Sequence, residues 1–407
     1  MSDRLSPDAR EKARARALGD FRGSAAALAA VEPLVDFLTG EIADFERENG
    51  LDWDTPVAHE TLRQVWKMSA DRGFYSYLLP KELGGQGLSV ADICAVREAA
   101  LTTGSVLAAH VLGDLSGPPR IGHLFKQASP HQVETFLKPV QTAERAVCFA
   151  LTETGAGSDA ASIKTRAVKT ADGYRLNGAK RFISGGSFAD IAIVLAVTDP
   201  DAGARGISAF FVDLHAEGVS KRTDYEVLAG KGVHADLIFD EVLVPAQNLI
   251  GEEGAGFRLA MARISVNRLL HCSTILGFAR LALELSIERA GGRHQFGRPI
   301  GGFQAIQHML ADMATDLYAG RAMMFDAARR LDEGHDIRAE ASMCKLFCAE
   351  NGFRIADRAM QVHGGVGLLK GGPIEFIFRN LRTFRIVTGT SEIQKNTIAK
   401  ALLERTD

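Results

Sequence analysis

The apolar positions of the chain change their spacing twice. Between residues 24 and 145 they recur every three or four positions, the period of an α-helix with one buried face. Pro80 and a nearby cluster of glycines interrupt this spacing and predict a loop. The sequence therefore predicts an N-terminal α-helical domain over residues 24–145.

A different texture follows over residues 146–250. Short runs rich in β-branched and aromatic residues alternate with Gly, Asp and Asn, which predicts a small β domain. Helical spacing returns after Gly256 and predicts a C-terminal α-helical domain over residues 251–407. Residues 1–23 are polar and charged, and we expect a flexible N-terminal extension there. The fold class predicted from these patterns is α+β.

Composition narrows the class of protein. The chain has 407 residues, 46% of them apolar, so it can bury a large core. Its net charge is -3 and its lysines and arginines are scattered, which argues against nucleic acid or an anionic membrane as a partner. The N-terminus lacks the apolar segment of a secretion signal, and we expect no stretch that approaches a membrane span. These features predict a cytoplasmic protein.

The cysteines predict neither a disulfide framework nor a metal site. There are five, widely spread and without a CxxC pair, which fits a reducing compartment. Cys344 and Cys348 stand four positions apart in a predicted helix and would share a face. No second pair of ligands accompanies them, so we expect them to pack in the apolar core.

Specific motifs begin at Leu151–Asp159, which reads Leu-Thr-Glu-Thr-Gly-Ala-Gly-Ser-Asp. This stretch resembles the signature of the acyl-CoA dehydrogenase family, and further matches occur in the family's order over residues 60–400. Any one of them could occur by chance, but eight in order could not. The other matching segments are Leu79–Pro80 with Gly84–Leu88, Asn177–Gly186, Phe239–Pro245, Gly254–Phe257, Arg293–Gly297, Phe303–Gln307, Gln361–Gly367 and Gly389–Gln394.

The resemblance implies a fold, a cofactor and partners. The fold would have an N-terminal α-helical domain, a small β-barrel or sandwich in the middle, and a C-terminal four-helix bundle. The cofactor would be FAD and the substrate an acyl-CoA thioester. Electron-transferring flavoprotein would accept the electrons. Family members complete the FAD site across a subunit contact, which implies a homotetramer or at least a dimer.

The resemblance also assigns residues to the flavin. A flavin must be held flat with one edge hydrogen-bonded, which suits strand backbone groups and small hydroxyls. The alternative is a glycine-rich turn with ordinary strand hydroxyls. By the resemblance, Phe149, Leu151 and Thr152 line the ring, Phe182 packs against it, Ser184 lies near its edge, and Gly157 and Ser158 follow in the signature, with Ser158 on the coenzyme A side.

A second group of residues would complete the FAD site from the partner subunit. A guanidinium such as that of Arg293 can grip a diphosphate with two donors, although a solvated surface arginine is the alternative. By the resemblance, Arg293, Gln295 and Phe296 lie on the pyrophosphate side, Gln361 and Gly365 lie near the adenosine, and Thr390 and Glu392 belong to the last cofactor motif.

The chain departs from the family at the catalytic base. The family's glutamate, which removes the α-proton, usually precedes Gly-Thr in the last motif, and here that position is Thr388. Its other placement precedes an arginine that supports the active site, here Arg268, and that position is Asn267. A threonine hydroxyl is too weak a base for this proton. The backbone N–H of Thr388, together with a flavin ribityl hydroxyl, could still polarise the thioester carbonyl.

Three explanations of this departure remain open. A relocated carboxylate is the first, and Asp114 is the candidate because it interrupts an apolar stretch whose family counterpart lines the acyl pocket. This arrangement resembles that of members that oxidise alicyclic substrates such as cyclohexanecarboxyl-CoA; a capping role for Asp114 is the alternative. The second is other chemistry, as in acyl-CoA desulfinases or flavin-dependent monooxygenases. The third is a catalytically silent subunit of a hetero-oligomer.

The sequence as a whole favours the first explanation. We predict an FAD-dependent acyl-CoA dehydrogenase that desaturates the α,β bond of a thioester. In this prediction Asp114 takes the α-proton and the hydride passes to flavin N5. The reverse direction, reduction of an enoyl-CoA, uses the same groups and stays open.

Overall fold

The computed structural model describes residues 6–77, 79–120, 127–228 and 230–404. The chain divides into two compact units. The helical unit comprises residues 1–55, 88–108 and 265–407, and the strand unit comprises residues 56–87 and 109–264. Residues 1–5 of the predicted extension lie outside the described part of the chain.

Helices occupy most of the chain outside residues 147–245. A π-helical turn, Val133–Leu137, joins α7 to α8. The helices are α1 (Pro7–Gly19), α2 (Ala25–Thr39), α3 (Glu41–Glu48), α4 (His59–Asp71), α5 (Val90–Thr102), α6 (Ala108–Val111), α7 (Pro130–Gln132), α8 (Lys138–Gln141), α9 (Gly256–Gly292), α10 (Gln304–Asp332), α11 (Arg338–His363), α12 (Pro373–Thr383) and α13 (Ser391–Leu403).

The sequence predicted a flexible extension over residues 1–23, but helix α1 lies within that segment. The prediction is therefore wrong for the described part of the segment. The Ser6 hydroxyl accepts a hydrogen bond from the backbone N–H of Ala9 at 3.3 Å and caps the helix. Ala13 and Ala17 are buried, and Arg16 forms an ion pair with Glu288 at 2.9 Å. The polar composition of this segment did not reveal the helix, which packs through two buried alanines.

Helix α5 forms the centre of the helical unit, where it packs against α2 and α10. Every residue from Ile93 to Thr102 is buried, including Glu98. A buried carboxylate is costly unless it is paired. Arg321 Nε lies 2.9 Å from Glu98 and Arg280 Nη1 lies 3.7 Å from it. Burial nevertheless raises the pKa of Glu98 above its ordinary value.

Helix α9 corrects the expectation that no stretch approaches a membrane span. It has 37 residues and contains an 18-residue window that is long and apolar enough to cross a membrane by length and composition. However, 67% of that window is buried inside the protein, as in the core helix of a globular protein. Burial therefore accounts for its apolar composition.

The strand unit holds a seven-stranded sheet among its described residues, in the order β1-β4-β2-β3-β9-β6, with β5 paired to β4. Strands β1 and β4 are parallel, and β3 and β9 form a long antiparallel pair. The strands are β1 (Val147–Ala150), β2 (Arg166–Thr170), β3 (Gly173–Ser184), β4 (Ile191–Val197), β5 (Ile207–Asp213), β6 (Val219–Arg222), β7 (Glu226–Val227), β8 (Gly230–Lys231), β9 (His234–Pro245), β10 (His294–Gln295) and β11 (Arg298–Pro299).

Strand β4 is buried on both faces of the sheet. Ile191, Ile193 and Leu195 belong to a core shared with Phe136. Ala192, Val194 and Ala196 belong to a second core on the opposite face. Because side chains alternate along a strand, a run of apolar residues at every position is what a strand with two covered faces requires. The sheet is thereby fixed from both sides.

A buried histidine lies beside the sheet. His110 is 9% exposed, and its ring centroid lies 6.3 Å from that of Trp66 and 6.4 Å from that of Phe188. Its Nδ1 is buried and has no hydrogen-bond partner among the described residues. Burial lowers the pKa of His110 from 6.5 to about 4. The imidazole is therefore neutral in the folded protein at neutral pH.

This histidine predicts a pH-dependent loss of stability. Between pH 6.5 and 4 the unfolded chain binds a proton at His110 that the folded chain does not, so the free energy of unfolding falls as pH falls. The loss is at most about 1.4 kcal/mol per pH unit. We expect His110→Leu to gain on the wild type steadily from pH 7 to pH 5 in urea denaturation. A constant difference between the two proteins over this range would contradict the assignment.

Candidate active site

The signature segment, Leu151–Asp159, is bound to strand β3 by a buried ion pair. The fully buried Lys180 donates from Nζ to Glu153 Oε1 at 2.7 Å and to the carbonyl oxygen of Leu151 at 3.1 Å. The Glu153 carboxylate also accepts from the backbone N–H groups of Lys164 and Thr165. Burial lowers the pKa of Lys180 to about 8. These contacts hold the segment that the sequence assigns to the flavin.

Two hydroxyls in this region have no partner within the described residues. The carbonyl oxygen of Thr152 accepts a hydrogen bond from the Arg181 N–H at 2.8 Å, which joins the signature to β3. The side chains of Thr152 and Ser184 are both half-buried, and neither hydroxyl makes a hydrogen bond there. A pair of such hydroxyls on adjoining backbone suits the polar edge of a flat ring.

The ring of Phe182 is presented by an irregularity in the sheet. The β3–β9 register shifts between Lys180 and Ile183, and Phe182 adopts a left-handed backbone with φ of 56°. Its N–H donates to Asp236 Oδ1 at 3.1 Å, and 49% of the residue is exposed. Backbone strain of this kind costs about 1–3 kcal/mol and is concentrated at functional sites. The bulge turns an apolar ring outward, where a ligand can cover it.

Asp114 lies in a turn that borders the same strands. The turn follows α6, with the Asp114 N–H donating to the carbonyl oxygen of Ala109 at 2.9 Å. Two residues later the Ser116 carbonyl accepts from the N–H of Val147, the first residue of β1. A Cβ placed on Gly185 would lie 2.1 Å from the Leu115 carbonyl oxygen. The structure therefore brings the Asp114 turn against both strands predicted to hold the flavin.

The structure excludes one form of the capping role for Asp114, that of a helix N-cap, and a cap of the turn itself stays the alternative. The residue lies three positions after Val111, the last residue of α6, and four positions before the short helical turn Pro118–Arg120. It therefore does not stand at the N-cap of either element. Gly157 and Ser158 lie in an exposed bend, and no atom lies within 4 Å of a Cβ built on Gly157.

The helical unit places Thr388 and Arg268 side by side. Thr388 has φ of 57° and its N–H makes no hydrogen bond to any residue that the structure describes. Gln394 Nε2 donates to the carbonyl oxygens of Thr388 and Gly389 at 3.3 and 2.9 Å. Arg268 Nη2 lies 3.8 Å from the position of a Cβ on Gly389. This turn thus presents a free N–H beside a buried guanidinium.

Lys345 is a site residue that the sequence analysis missed. It is fully buried, and its Nζ donates to the Gly389 carbonyl oxygen at 2.7 Å. Burial lowers the pKa of Lys345 to about 8. Arg268, also buried, donates from Nη1 to Ser342 on the same helix, α11. The signal available in the sequence was a lone lysine between Cys344 and Cys348 in an otherwise apolar stretch.

We expect Lys345→Met to lower the turnover rate without unfolding the protein. Loss of the bond to Gly389 would let the Thr388 turn shift, and small misplacements of catalytic groups cost about 10-fold or more in rate. The exposed Lys395 on α13 provides the matched control, Lys395→Met. Steady-state kinetics and FAD content check this. Equal rates for the two variants would contradict a positioning role.

The remaining predicted cofactor residues lie on the surface of the helical unit. Arg293, Gln295 and Phe296 belong to the hairpin of β10 and β11, where Phe296 is 92% exposed and has φ of 51°. Such an exposed aromatic is typical of a contact surface. Gln361 and Glu392 are exposed, Gly365 follows α11, and Thr390 caps α13 by accepting from the Ile393 N–H. Their roles toward FAD stay predictions.

Among the described residues no group of three His, Cys, Asp or Glu side chains could hold a metal ion. Cys344 and Cys348 are both buried, which confirms their predicted packing in the core.

Comparison with known proteins identifies close similarities over most of the chain. Residues 148–242 match the model for the acyl-CoA dehydrogenase middle domain, and residues 254–403 match that for the C-terminal domain. The chain is 38% identical to the caffeyl-CoA reductase-Etf complex subunit CarC of Acetobacterium woodii, over 90% of this chain and 94% of that protein. It is 36% identical to cyclohex-1-ene-1-carbonyl-CoA dehydrogenase of Syntrophus aciditrophicus, over 82% and 81%.

Solved structures show the same fold. The acyl-CoA dehydrogenase of Geobacillus kaustophilus matches with a TM-score of 0.82 at 30% identity, over 93% of this chain and 98% of that one. The FAD complex of PigA matches with a TM-score of 0.82 at 27% identity, over 95% and 100%. These neighbours confirm the predicted fold.

Proposed function

Because the chain belongs to the acyl-CoA dehydrogenase family, and is thus an oxidoreductase of acyl-CoA thioesters, we propose that it desaturates the α,β bond of its substrate with bound FAD. The observation that carries this proposal is the juxtaposition of the Asp114 turn with β1 and the Ser184–Gly185 backbone. A carboxylate at that place can replace the glutamate that Thr388 and Asn267 do not supply.

The residues present fit an FAD site. Thr152 and Ser184 offer half-buried hydroxyls that make no hydrogen bond to a described residue, and Phe182 offers an exposed ring on a bulge. FAD, when bound, supplies the acceptor for the substrate hydride. The protein's part is to hold the ring edge with these hydroxyls and to cover one face with apolar side chains.

Asp114 is the proposed base. Its carboxylate takes the proton from the substrate α-carbon, because an effective base must reach the proton within hydrogen-bond distance and a hydroxyl lacks the basicity. The name of the Syntrophus relative, a dehydrogenase of an alicyclic thioester, supports a cyclic acyl group such as cyclohexanecarboxyl-CoA as one substrate class to test.

The Thr388 turn is the proposed electrophile. Its N–H has no described partner and would donate to the thioester carbonyl as negative charge develops there. Lys345 and Gln394 fix the turn through the Gly389 carbonyl, and Arg268 adds a buried positive charge beside it. Stabilisation of the enolate charge lowers the barrier to removal of the α-proton.

The proposed partners are an electron acceptor and further copies of this chain. An electron-transferring flavoprotein is the proposed electron acceptor, supported by the name of the Acetobacterium relative, an Etf complex subunit. The exposed Phe296 supports a homotetramer in which Arg293, Gln295 and Phe296 reach the partner's FAD, with Gln361 and Gly365 near the adenosine. Ser158 would contact the coenzyme A side, and the cytoplasm is the proposed location.

The test is anaerobic titration of the purified flavoprotein with linear, branched and alicyclic acyl-CoAs. Bleaching of the flavin absorbance by one class is the expected result. If no acyl-CoA bleaches the flavin, desaturation is wrong; release of sulfite from a sulfinated acyl-CoA, or oxygen-dependent product formation, would then indicate desulfination or oxygenation. A protein inert in every assay would indicate a silent subunit.

Reduction of an enoyl-CoA is the second candidate, favoured by a specific observation. The Acetobacterium relative is named as part of a reductase complex, and a Clostridium sporogenes relative, 38% identical, is named 3-(aryl)acrylate reductase. The two directions separate when the chemically reduced protein is mixed with an enoyl-CoA. Rapid reoxidation of the flavin, together with slow bleaching by the saturated thioester, would favour the reductase.

A further inference from the structure

Two arginines of the strand unit lie together beside the candidate site. Arg263, on the first part of α9, is only 7% exposed, and its Nε donates to the Arg120 carbonyl oxygen at 2.8 Å. Its guanidinium carbon lies 4.2 Å from the centre of the Phe149 ring. Arg120 in turn donates from Nε to the carbonyl oxygen of Asp114 at 2.8 Å. The pair thus connects the predicted flavin wall to the proposed base.

Positive charge exceeds negative charge at this place. Among the described residues no ion pair joins Arg263 or Arg120 to a carboxylate, and their Nε atoms donate to backbone carbonyl oxygens instead. The two terminal nitrogens of Arg263 make no hydrogen bond to a described residue. Among the described residues, Asp114 is the carboxylate that acts on Arg120, and none acts on Arg263. Burial, together with the neighbouring Arg120, lowers the pKa of Arg263 to about 9.

A structural role does not account for this arrangement. Contact with the face of Phe149 favours a cation by about 2 kcal/mol, whereas burial of an unpaired charge costs several times that amount. A methionine or leucine would fill the same space without the cost. Since no described residue balances this charge, an anionic ligand would account for it.

The orientation of the guanidinium indicates the kind of ligand. With Nε bound to Arg120, the end of the fork that carries Nη1 and Nη2 remains available. That end matches the two oxygens of a carboxylate. Its neighbours are Phe149, assigned to the flavin ring, and the turn of Asp114, assigned to the substrate α-carbon, so the anion belongs to the acyl group.

We propose that Arg263, supported by Arg120, binds a carboxylate at the far end of the acyl group, so that the substrate is the mono-thioester of a dicarboxylic acid. This inference rests on the proposed function, since it places the acyl group beside Asp114. It narrows the substrate class from any acyl-CoA to those that carry a second acid group.

Matched pairs of acyl-CoAs test this inference: butyryl-CoA against succinyl-CoA, and valeryl-CoA against glutaryl-CoA. Binding is measured from the change in flavin absorbance at a temperature low enough that the bound thioester does not reduce the flavin. Flavin reduction is measured in a separate experiment. We expect the carboxylated member of a pair to bind about 10- to 100-fold more tightly in the wild type. Arg263→Met should remove this preference and leave the neutral member within about threefold.

Two further variants serve as controls for this experiment. Arg258→Met changes an exposed arginine of the same helix and should keep the preference. Arg263→Lys retains the charge without the fork, so the preference should shrink without vanishing even if Arg263→Met folds poorly. Equal binding of both members by the wild type, or equal weakening of both by Arg263→Met, overturns the inference. Selective binding of carboxylated thioesters without flavin bleaching would instead uphold it and overturn the proposed desaturation.

Discussion

Asp114→Asn is expected to slow flavin reduction by the preferred acyl-CoA by about 10²- to 10⁴-fold, the usual contribution of a general base. Asparagine keeps the size and the backbone contacts of the turn, including the Asp114 carbonyl that accepts from Arg120. Binding of FAD and of the thioester should therefore persist while proton removal fails. Anaerobic stopped-flow absorbance at saturating thioester measures the reduction step directly.

Two further variants provide a control and a test of rescue. Asp172→Asn changes an exposed aspartate in the turn between β2 and β3 and should leave the rate unchanged. In the Asp114→Asn background, Thr388→Glu places a carboxylate where the family usually has one and should restore at least tenfold of the lost rate. A loss of less than threefold in Asp114→Asn alone would show that the base lies elsewhere.

The predicted site residues that the structure brings together are carried by contiguous motifs, and their roles toward FAD stay predictions. By the resemblance, the segments Leu151–Asp159 and Asn177–Gly186 were both assigned to one flavin ring, and the backbone hydrogen bond from Arg181 to Thr152 joins them. The local structure of a short motif can be predicted because residues close together in sequence can adopt few backbone conformations. The bulge that exposes Phe182 was not visible in the sequence, since register is set by the pairing of β3 with the distant β9.

The parts that sequence reasoning missed depend on contacts between distant residues. Lys345 supports Gly389 from 44 positions away, and Arg263 meets Arg120 from 143 positions away. Neither residue stands in a motif, and the sign that each left in the sequence is weak: a basic residue within a predicted helix. What marks them is burial, which only the packed structure reveals. A basic residue in an apolar helical stretch is the feature to watch for.

The two corrected expectations have a common physical cause. Helix α1 was judged by polarity, yet two buried alanines and an ion pair to Glu288 suffice to dock it. Helix α9 was not expected to approach a membrane span, although one of its 18-residue windows is apolar enough to cross a membrane by length and composition. In both cases the average composition of a segment hid the face or window that is buried, which decides how a helix packs.

Gly185→Ala is expected to destabilise the protein by about 3 kcal/mol or more and to cost it FAD. Gly185 has φ of 77°, which an alanine adopts at a cost of about 1–2 kcal/mol. Its Cβ would also lie 2.1 Å from the Leu115 carbonyl oxygen, a backbone atom that cannot move aside cheaply. Relief of that overlap must displace either Ser184 or the turn that carries Asp114. Urea denaturation and flavin content of the purified protein measure both effects.

Gly232→Ala separates strain from overlap. Gly232 has φ of 80°, nearly the same conformation, but no atom of the described residues lies within 4 Å of its Cβ position. It should lose only the conformational part, about 1–2 kcal/mol, and keep its flavin. Equal losses in the two variants would mean that the close approach of Gly185 to Leu115 is unimportant. A larger loss at Gly185, accompanied by slower reduction in whatever protein retains FAD, would show that flavin edge and base are held by one backbone contact, so the site cannot keep one of them while the other moves.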